Sequence, residues 1–364
     1  MYLITNREIN TNKTGLDIFG KKPNVKGARE ITLVNVKKKG KSWVAKPVAD
    51  TLSVQTLKEL KKKHKIDIDV NAEWHGSLKV ACEIFEMATE TKKSILFFVH
   101  GYNNDIEDVV KTVEDIERLY DVIVVPFTWP ANGGGALSGI TAYSSDKADG
   151  RQSASALNRV VGKIQYYHLL LTKARIESIR QRTEKKYPDN HAAAKAYFTE
   201  LQEKACQIKL SLFCHSMGSY VLKHTLLTTD SLTRRLVFDN ICLVAADTNN
   251  KNHKKWVDRL DVKNRCYIVI NEKDNALSAS RIKPGDAQLA RLGHYTKKLD
   301  SPNACYIDFT KADGVGREHS YFKGDCIENK TALREVFKGM FAGESVEDEL
   351  KFLADKNTYV LVSS

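Results

Sequence analysis

The chain has 364 residues, 42% of them hydrophobic, so it is long enough to bury a large core. Its formal net charge is +12, and basic runs lie at 37–41, 57–65 and 172–186. No signature of a nucleic-acid-binding module accompanies these runs. They are therefore interpreted as solvated faces, and no nucleic-acid partner is expected.

The cysteines and the N-terminus indicate the cellular compartment. Seven cysteines are an odd number, and none shows CxxC spacing. Cys242, Cys266 and Cys305 lie in apolar runs, which is typical of reduced, buried thiols. The N-terminus has no apolar signal segment, and no apolar run approaches the roughly 18 residues of a membrane-spanning helix. The sequence predicts a soluble, cytoplasmic protein.

The first 90 residues contain three short strand-like segments and then a helical one. The strand-like segments read "YLIT", "REITLVNV" and "SWVAKPV". We interpret them as an antiparallel edge of the main sheet. The segment "GSLKVACEIFEMATE" at 76–90 is predicted to be a helix that leads into the next strand.

Buried strands alternate with helices through the rest of the chain. Continuous apolar runs that end in turn residues are typical of strands covered on both faces. Helices between them imply crossover connections. The predicted fold class is α/β: a mostly parallel sheet with helices on both faces, N-terminal antiparallel edge strands and a helical insertion. The predicted strands are 94–101, 121–130, 209–216, 240–247, 265–274 and 303–310.

The helical insertion is predicted at 131–207 within a single domain that spans 1–364. It begins with a glycine-rich loop at 132–139, and charged helical patterns follow at about 151–185 and 191–206. One interpretation is a lid whose apolar cluster faces Ser216 or the core beneath it. The other is a solvated helical hairpin that serves a partner or a dimer. The cluster consists of Tyr166, Tyr167, Leu169, Leu170 and Leu171.

A candidate nucleophile lies in "LSLFCHSMGSY", at the junction between a strand and a helix. A serine in such a tight turn, with small residues around it, is typical of a nucleophile elbow. The usual pattern is Gly-x-Ser-x-Gly; here Cys214 replaces the first glycine and Gly218 keeps the second. Ser216 is therefore the predicted nucleophile, at the N-terminus of a helix that favours developing negative charge.

Two backbone N–H groups are predicted to form an oxyanion hole. One belongs to Met217, directly after the nucleophile, and the other to Tyr102, in the loop that follows the strand "ILFFVHG". His100, at the end of that strand, is expected to order the loop rather than to transfer protons.

Chain order predicts the remaining catalytic residues. An acid and then a histidine should follow the nucleophile at the ends of later strands. Asp274 is favoured as the acid over Asp247, because it ends the later strand. His319, in a glycine-rich loop after the last predicted strand, is the favoured base, and His294 is the weaker competitor. His215 and His224 are poor candidates, because one is the serine's neighbour and the other lies down the helix.

These residues resemble a known group, the bacterial alpha/beta-hydrolase family first catalogued as domain of unknown function nine hundred. The resemblance implies the alpha/beta-hydrolase fold and a triad of Ser216, Asp274 and His319. The chain differs at Ser219, where such proteins often carry Asn. The matching segments, in family order, are "YLITNRE", "ILFFVHGYNND", "VPFTWPANG", "AYSSDKADGRQSASAL", "LFCHSMGSYVL", "LVAADTNN", "YIVINEKDNALSAS", "RLG" and "HSYF".

The expected function is that of a serine hydrolase that cleaves a carboxylic ester or a related acyl compound, with no metal or organic cofactor. The expected partner is a small-molecule or lipid acyl substrate, and the oligomeric state is left open. One alternative is a lipase or phospholipase that docks on anionic membranes through the basic insertion. A second alternative is a non-catalytic, hydrolase-like binding module.

Overall fold

The structure is a computed structural model that describes residues 1–131, 139–204, 208–227, 237–281 and 290–362. The strands are β1 Tyr2–Thr5, β2 Arg7–Ile9, β3 Phe19–Pro23, β4 Thr32–Lys39, β5 Ser42–Pro47, β6 Ile95–Val99, β7 Ile123–Thr128, β8 Leu210–His215, β9 Asn240–Val244, β10 Arg265–Ile270, β11 Ala304–Asp308, β12 Leu350–Leu353 and β13 Thr358–Leu361. The helices are α1 Val54–His64, α2 Gly76–Thr91, α3 Ile106–Tyr120, α4 Gly139–Lys186, α5 His191–Lys204, α6 Gly218–Leu227, α7 Lys254–Val257, α8 Asn275–Ser280, α9 Asp325–Glu328 and α10 Thr331–Ala342.

The described chain divides into two compact units. The first comprises residues 1–46, 94–160 and 209–364, and the second comprises 47–93 and 161–208. The glycine-rich loop predicted at 132–139 lies, apart from Gly139, outside the described residues. The single-domain boundary and the insertion at 131–207 stay predictions.

A large sheet forms the centre of the first unit. Within the described residues its eleven strands run in the order β12, β13, β11, β10, β9, β8, β6, β7, β1, β4, β5. Neighbours from β13 through to β1 pair in parallel. The predicted mostly parallel sheet is confirmed, and helices connect most of its parallel strands, as crossover connections require.

Both edges of this sheet are antiparallel. At one edge β1 pairs antiparallel with β4, so the predicted N-terminal antiparallel edge is confirmed. The "YLIT" segment, β1, differs from the prediction of a purely antiparallel strand, because it also pairs in parallel with β7. At the other edge β12 pairs antiparallel with β13, a C-terminal hairpin that the sequence analysis did not predict. The short strands β2 and β3 pair separately from the large sheet.

The central strands are apolar because both of their faces are covered. Strands β7, β8 and β9 are buried along their whole length, which explains their continuous apolar sequences. Aromatic side chains from β8, α3 and α10 meet over the sheet; Phe213 packs against Phe341, with ring centroids 4.7 Å apart. This core fixes the strand ends, from which the loops of the candidate site emerge.

The second unit is helical and has an apolar core of its own. The helical patterns predicted at 151–185 and 191–206 are confirmed by α4 and α5 up to Lys204; positions 205 and 206 lie outside the described residues. From the predicted apolar cluster, Tyr167 and Leu171 are buried in this core with Leu57 of α1 and Leu78 of α2. Tyr166 is about half exposed, at 50%. Tyr167 and Leu171 therefore pack within this unit, and both interpretations of the insertion, lid and partner surface, stay predictions.

Among the described residues, no helix combines the length and the apolar composition that crossing a membrane requires. Although α4 is 48 residues long, charged residues recur along it.

Candidate active site

The four loops that carry the predicted site residues meet at one edge of the sheet. Tyr102 follows β6, Ser216 follows β8, Asp274 follows β10 and His319 follows β11. The carboxyl ends of parallel strands lie at the same edge, and clefts at this edge bind ligands in open α/β sheets. Ser216, Tyr102 and His319 line one pocket of about 180 Å³ there.

Ser216 occupies a strained turn between β8 and α6. Its φ is +52°, in the left-handed region that non-glycine residues rarely adopt. Hydrogen bonds hold it there: its N–H donates to the Val244 carbonyl over 3.0 Å, and its carbonyl accepts from the Asp247 N–H over 3.1 Å. The predicted elbow geometry is therefore present, with Cys214 buried at the position of the usual first glycine.

Two glycines allow this turn to pack against the end of β6. A Cβ on Gly218 would lie 2.4 Å from the Val99 carbonyl oxygen, so only glycine lets α6 begin this close to the strand. A Cβ on Gly101 would lie 2.9 Å from Ser216 Cβ. The loop predicted to supply the second oxyanion donor thus contacts the serine.

Asp274 and His319 form a hydrogen-bonded pair. His319 Nδ1 donates to Asp274 Oδ2 over 2.7 Å. The other oxygen, Oδ1, accepts from the Leu277 N–H over 2.9 Å and so caps α8. Asp274 is fully buried, whereas the His319 side chain is 24% exposed. This arrangement leaves His319 Nε2 with the free lone pair of the imidazole.

Ser216 and His319 line the same pocket but do not form a hydrogen bond with each other in the structure. In hydrolases, catalytic hydrogen bonds are often long until the substrate binds. The structure therefore places the three predicted residues at one edge of the sheet, with the hydrogen bond between His319 and Asp274 formed.

Two residues that the sequence analysis did not assign to the site hold the His319 loop. The Asn271 side-chain amide donates to the Gly316 and Glu318 carbonyls, each over 3.2 Å. His215 Nε2 donates to the His319 carbonyl over 3.2 Å, and the two rings lie 4.7 Å apart. Burial holds the pKa of His215 well below its usual value, so its ring stays neutral. Its position next to Ser216 in the sequence is the one signal that could have indicated this role.

The predicted oxyanion donors flank Ser216. The Met217 N–H lies just before α6 and donates to no described residue. On the other side, His100 Nδ1 donates to the Gly101 carbonyl over 2.9 Å. In a trans peptide the N–H points opposite to the carbonyl. His100 therefore fixes the direction of the Tyr102 N–H, in line with its expected role of ordering the loop.

His100 is held as a neutral ring. It is buried, its Nε2 accepts from the Trp129 N–H over 3.2 Å, and its ring stacks on Trp129. Burial and the nearby Arg7 charge lower the pKa of His100 to about 3. Neutral His100 donates only from Nδ1, which makes it an orienting group rather than a proton carrier at neutral pH.

Arg7, from the "YLITNRE" segment, supports the same loop. It is buried, at 2% exposure, and its Nη2 donates to the Asn104 carbonyl over 3.0 Å. Its Nε donates to Thr128 Oγ1 over 3.0 Å. Burial lowers the pKa of Arg7 to about 10, which still leaves it charged at neutral pH. Arg7 thus ties the end of β7 to the loop after β6, which contains Tyr102 and Asn104.

Asp247, the rival acid, forms a buried ion pair elsewhere in the pocket wall. Its Oδ1 lies 2.9 Å from Arg291 Nε, and both side chains are 3% exposed. Its Oδ2 accepts from the Tyr143 hydroxyl over 3.0 Å, so α4 of the predicted insertion contributes to the pocket. The structure describes His294, Asp274 and Ser216, and His294 forms no hydrogen bond to either of the other two. The geometry therefore favours Asp274 and His319 over their competitors.

No group of three or more His, Cys, Asp or Glu side chains within the described ranges is arranged to hold a metal ion.

Comparison with known proteins identifies the family. The family model described as "Alpha/beta hydrolase of unknown function (DUF900)" matches residues 80–169 and 176–323. These ranges contain Ser216, Asp274 and His319. No match was found among curated proteins, nor among solved structures. The chain belongs to this family of alpha/beta hydrolases of unknown function.

Proposed function

We propose that the protein is a serine hydrolase that cleaves short carboxylic esters, with Ser216 as nucleophile, His319 as base and Asp274 as acid. The observation that carries this proposal is the 2.7 Å hydrogen bond from His319 to the buried Asp274, in a pocket shared with a serine at positive φ. A strained serine beside an oriented histidine is the arrangement that acyl transfer requires.

The first half of the reaction forms an acyl-enzyme. Ser216 Oγ bonds to the ester carbon, the carbonyl electron pair moves to the oxygen, and His319 Nε2 takes the hydroxyl proton. Asp274 stabilises the resulting imidazolium. When the intermediate collapses, the bond to the leaving alcohol breaks and His319 returns the proton to that alcohol.

The second half releases the acid. Water attacks the acyl carbon, and His319 Nε2 takes a proton from that water. The bond between Ser216 Oγ and the acyl carbon then breaks, and His319 returns the proton to Oγ. In both halves the Met217 and Tyr102 N–H groups stabilise the oxyanion. One such donor is typically worth about 10²–10³-fold in kcat.

The pocket volume supports short acyl groups. About 180 Å³ is less than the roughly 300–1,000 Å³ of typical ligand pockets. Apolar contacts are available from Phe98, Leu277 and Phe322, which are buried residues of the lining. We infer that acetate and butyrate esters are better substrates than long-chain esters.

The test compares hydrolysis of p-nitrophenyl butyrate by the parent, Ser216→Ala and Ser219→Ala. The Ser219 hydroxyl is buried and finds no hydrogen-bond partner in the described part of the chain, so it is a matched control from the same turn. Ser216→Ala should lower kcat by about 10³-fold or more, with a small residual rate from the oxyanion hole. Ser219→Ala should resemble the parent. Full activity in Ser216→Ala would refute the proposal.

A further inference from the structure

Lys323 is a pocket residue to which the proposed reaction gives no role. It lies four positions after His319 and lines the same pocket as Ser216. Its Nζ donates to Thr112 Oγ1 of α3 over 2.6 Å. Thr112 is 3% exposed and also lines the pocket. A lysine and a buried hydroxyl thus form a polar pair beside the nucleophile.

The ammonium of Lys323 has no carboxylate partner within ion-pair distance among the described residues. Asp247, the other charged side chain of the lining, is paired with Arg291, and the neutral His319 ring is hydrogen-bonded to Asp274. Among the described lining residues, Lys323 is thus a cation whose charge no neighbouring carboxylate neutralises.

The acidic residues whose charges act on Lys323 already accept hydrogen bonds from other groups. Asp108 and Asp115 of α3 act on it only at longer range. Asp108 accepts from the Asp105 N–H in a capping box, and Asp115 accepts from Arg118 over 3.0 Å. Lys323 is half-buried, and this burial lowers its pKa. A partly desolvated cation binds an anion more strongly than an exposed one does.

The hydroxyl of Thr112 adds a second donor. Because the Lys323 ammonium can only donate, Thr112 Oγ1 accepts from it and keeps its own proton for another acceptor. No described residue takes that proton. The pair therefore offers an ammonium and a hydroxyl donor to one ligand group, and two such donors suit the two oxygens of a carboxylate.

We propose that Lys323 and Thr112 bind a carboxylate carried by the substrate, so that the enzyme prefers short esters with a second, anionic end, such as half-esters of dicarboxylic acids. This inference rests on the proposed ester hydrolysis at Ser216. The structural alternative is that Lys323 only ties the His319 loop to α3. That role would affect charged and neutral esters equally.

The kinetic test uses a matched pair of substrates, monoethyl glutarate and ethyl pentanoate, which differ by a carboxylate in place of a methyl group. The hydrolysis rate is measured by the release of acid. The quantity compared is kcat/KM for monoethyl glutarate divided by kcat/KM for ethyl pentanoate. Lys323→Met should lower this ratio about tenfold or more, because a charge-assisted contact is lost. Lys255→Met, at an exposed lysine of α7, should keep the parent's ratio.

A third substrate, the butyryl ester of glycolate, places the carboxylate on the alcohol side. A Lys323-dependent preference for either charged ester supports the site and tells which part of the substrate carries the anion. If Lys323→Met leaves the preference for both charged esters over ethyl pentanoate unchanged, the inference is overturned.

A binding measurement separates this inference from the proposed function. Calorimetry with glutarate needs no turnover; the parent should bind it, and Lys323→Met should bind it at least about tenfold more weakly. If no ester is hydrolysed but glutarate binding depends on Lys323, the proposed function is wrong and the anion site stands. If ethyl pentanoate is hydrolysed but glutarate does not bind, the anion site is wrong and the function stands.

Discussion

At the scale of single residues, Asp274 links the fold to the proposed chemistry. One of its oxygens caps α8 and the other accepts from His319. A rotation of this carboxylate that broke the contact with His319 would also break the helix cap. The histidine is therefore held in one tautomer by a group that the local fold already fixes.

Replacing each aspartate by asparagine distinguishes the role of Asp274 from that of Asp247. Asp274→Asn should lower kcat by about 10⁴-fold, because the amide favours the wrong tautomer of His319. Asp247→Asn should change kcat far less, but it should lower the free energy of unfolding by about 3–5 kcal/mol, because it leaves Arg291 without its buried partner. The measurements are steady-state kinetics and urea unfolding of both variants. The reverse pattern would place the catalytic acid after β9.

The sequence predicts some residues of this site better than others. Ser216, Asp274 and His319 lie at or after the ends of predicted strands in a fixed order, so the local pattern is sufficient to propose them as candidates. The roles of Asn271, His215 and Lys323 depend on contacts with loops or helices distant in the chain. A lysine in "YFKGD" does not show that Thr112, 211 positions earlier, will lie beside it.

At the scale of elements, the turn from β8 into α6 determines where Ser216 lies. Its close contacts with β6 leave no room for a side chain at position 218. The strained Ser216 is held by hydrogen bonds to the Val244 carbonyl at the carboxyl end of β9 and to the Asp247 N–H just after it. The elbow is therefore a property of three neighbouring strands rather than of the turn alone.

A pair of glycine substitutions tests this packing. Gly218→Ala should lower the free energy of unfolding by about 1–3 kcal/mol, because its Cβ would lie 2.4 Å from the Val99 carbonyl oxygen. Gly162→Ala in α4 meets nothing within 4 Å. It should raise the free energy of unfolding by about 0.5–1 kcal/mol, as helix propensity predicts. Urea unfolding of both variants measures the difference. A neutral Gly218→Ala would show that α6 can shift away from β6.

Among the elements, the parallel strands could be predicted and several edge elements could not. Continuous apolar runs predict strands covered on both faces, and β6 to β11 follow them. The predicted strand at 265–274 ends early, at Ile270, because the chain turns at Asn271 to let Asp274 cap α8. The hairpin of β12 and β13 has mixed, half-exposed sequences without such a signal.

At the scale of the whole molecule, buried neutral histidines make the stability of the fold depend on pH. His100 has a folded-state pKa of about 3, below the ordinary value of 6.5. The unfolded chain therefore binds a proton below about pH 6.5 that the folded chain does not bind until about pH 3. Stability from this group is present above pH 6.5 and is lost as the pH falls through this window. Burial acts on His215 in the same direction.

We expect the free energy of unfolding to fall between pH 7 and pH 5. His100 alone accounts for about 2 kcal/mol of this loss, at about 1.4 kcal/mol per pH unit below its ordinary pKa. His100→Gln removes the titrating group, so the variant should lose less stability over the same range, although it is less stable at pH 7. Urea unfolding at both pH values measures the two slopes. Equal slopes would mean that His100 does not stay neutral in the fold.

The central claim is that Ser216 is an activated nucleophile, and covalent labelling tests it most directly. A fluorophosphonate probe reacts with an activated serine, forms a bond from Oγ to phosphorus and releases fluoride. Mass spectrometry of the labelled, digested protein should show one adduct per chain, on the peptide that contains Ser216. The adduct should be lost in Ser216→Ala and should form far more slowly in Asp274→Asn. Labelling of Ser216→Ala at the parent's rate, or no adduct on Ser216 in a folded parent protein, would contradict the account.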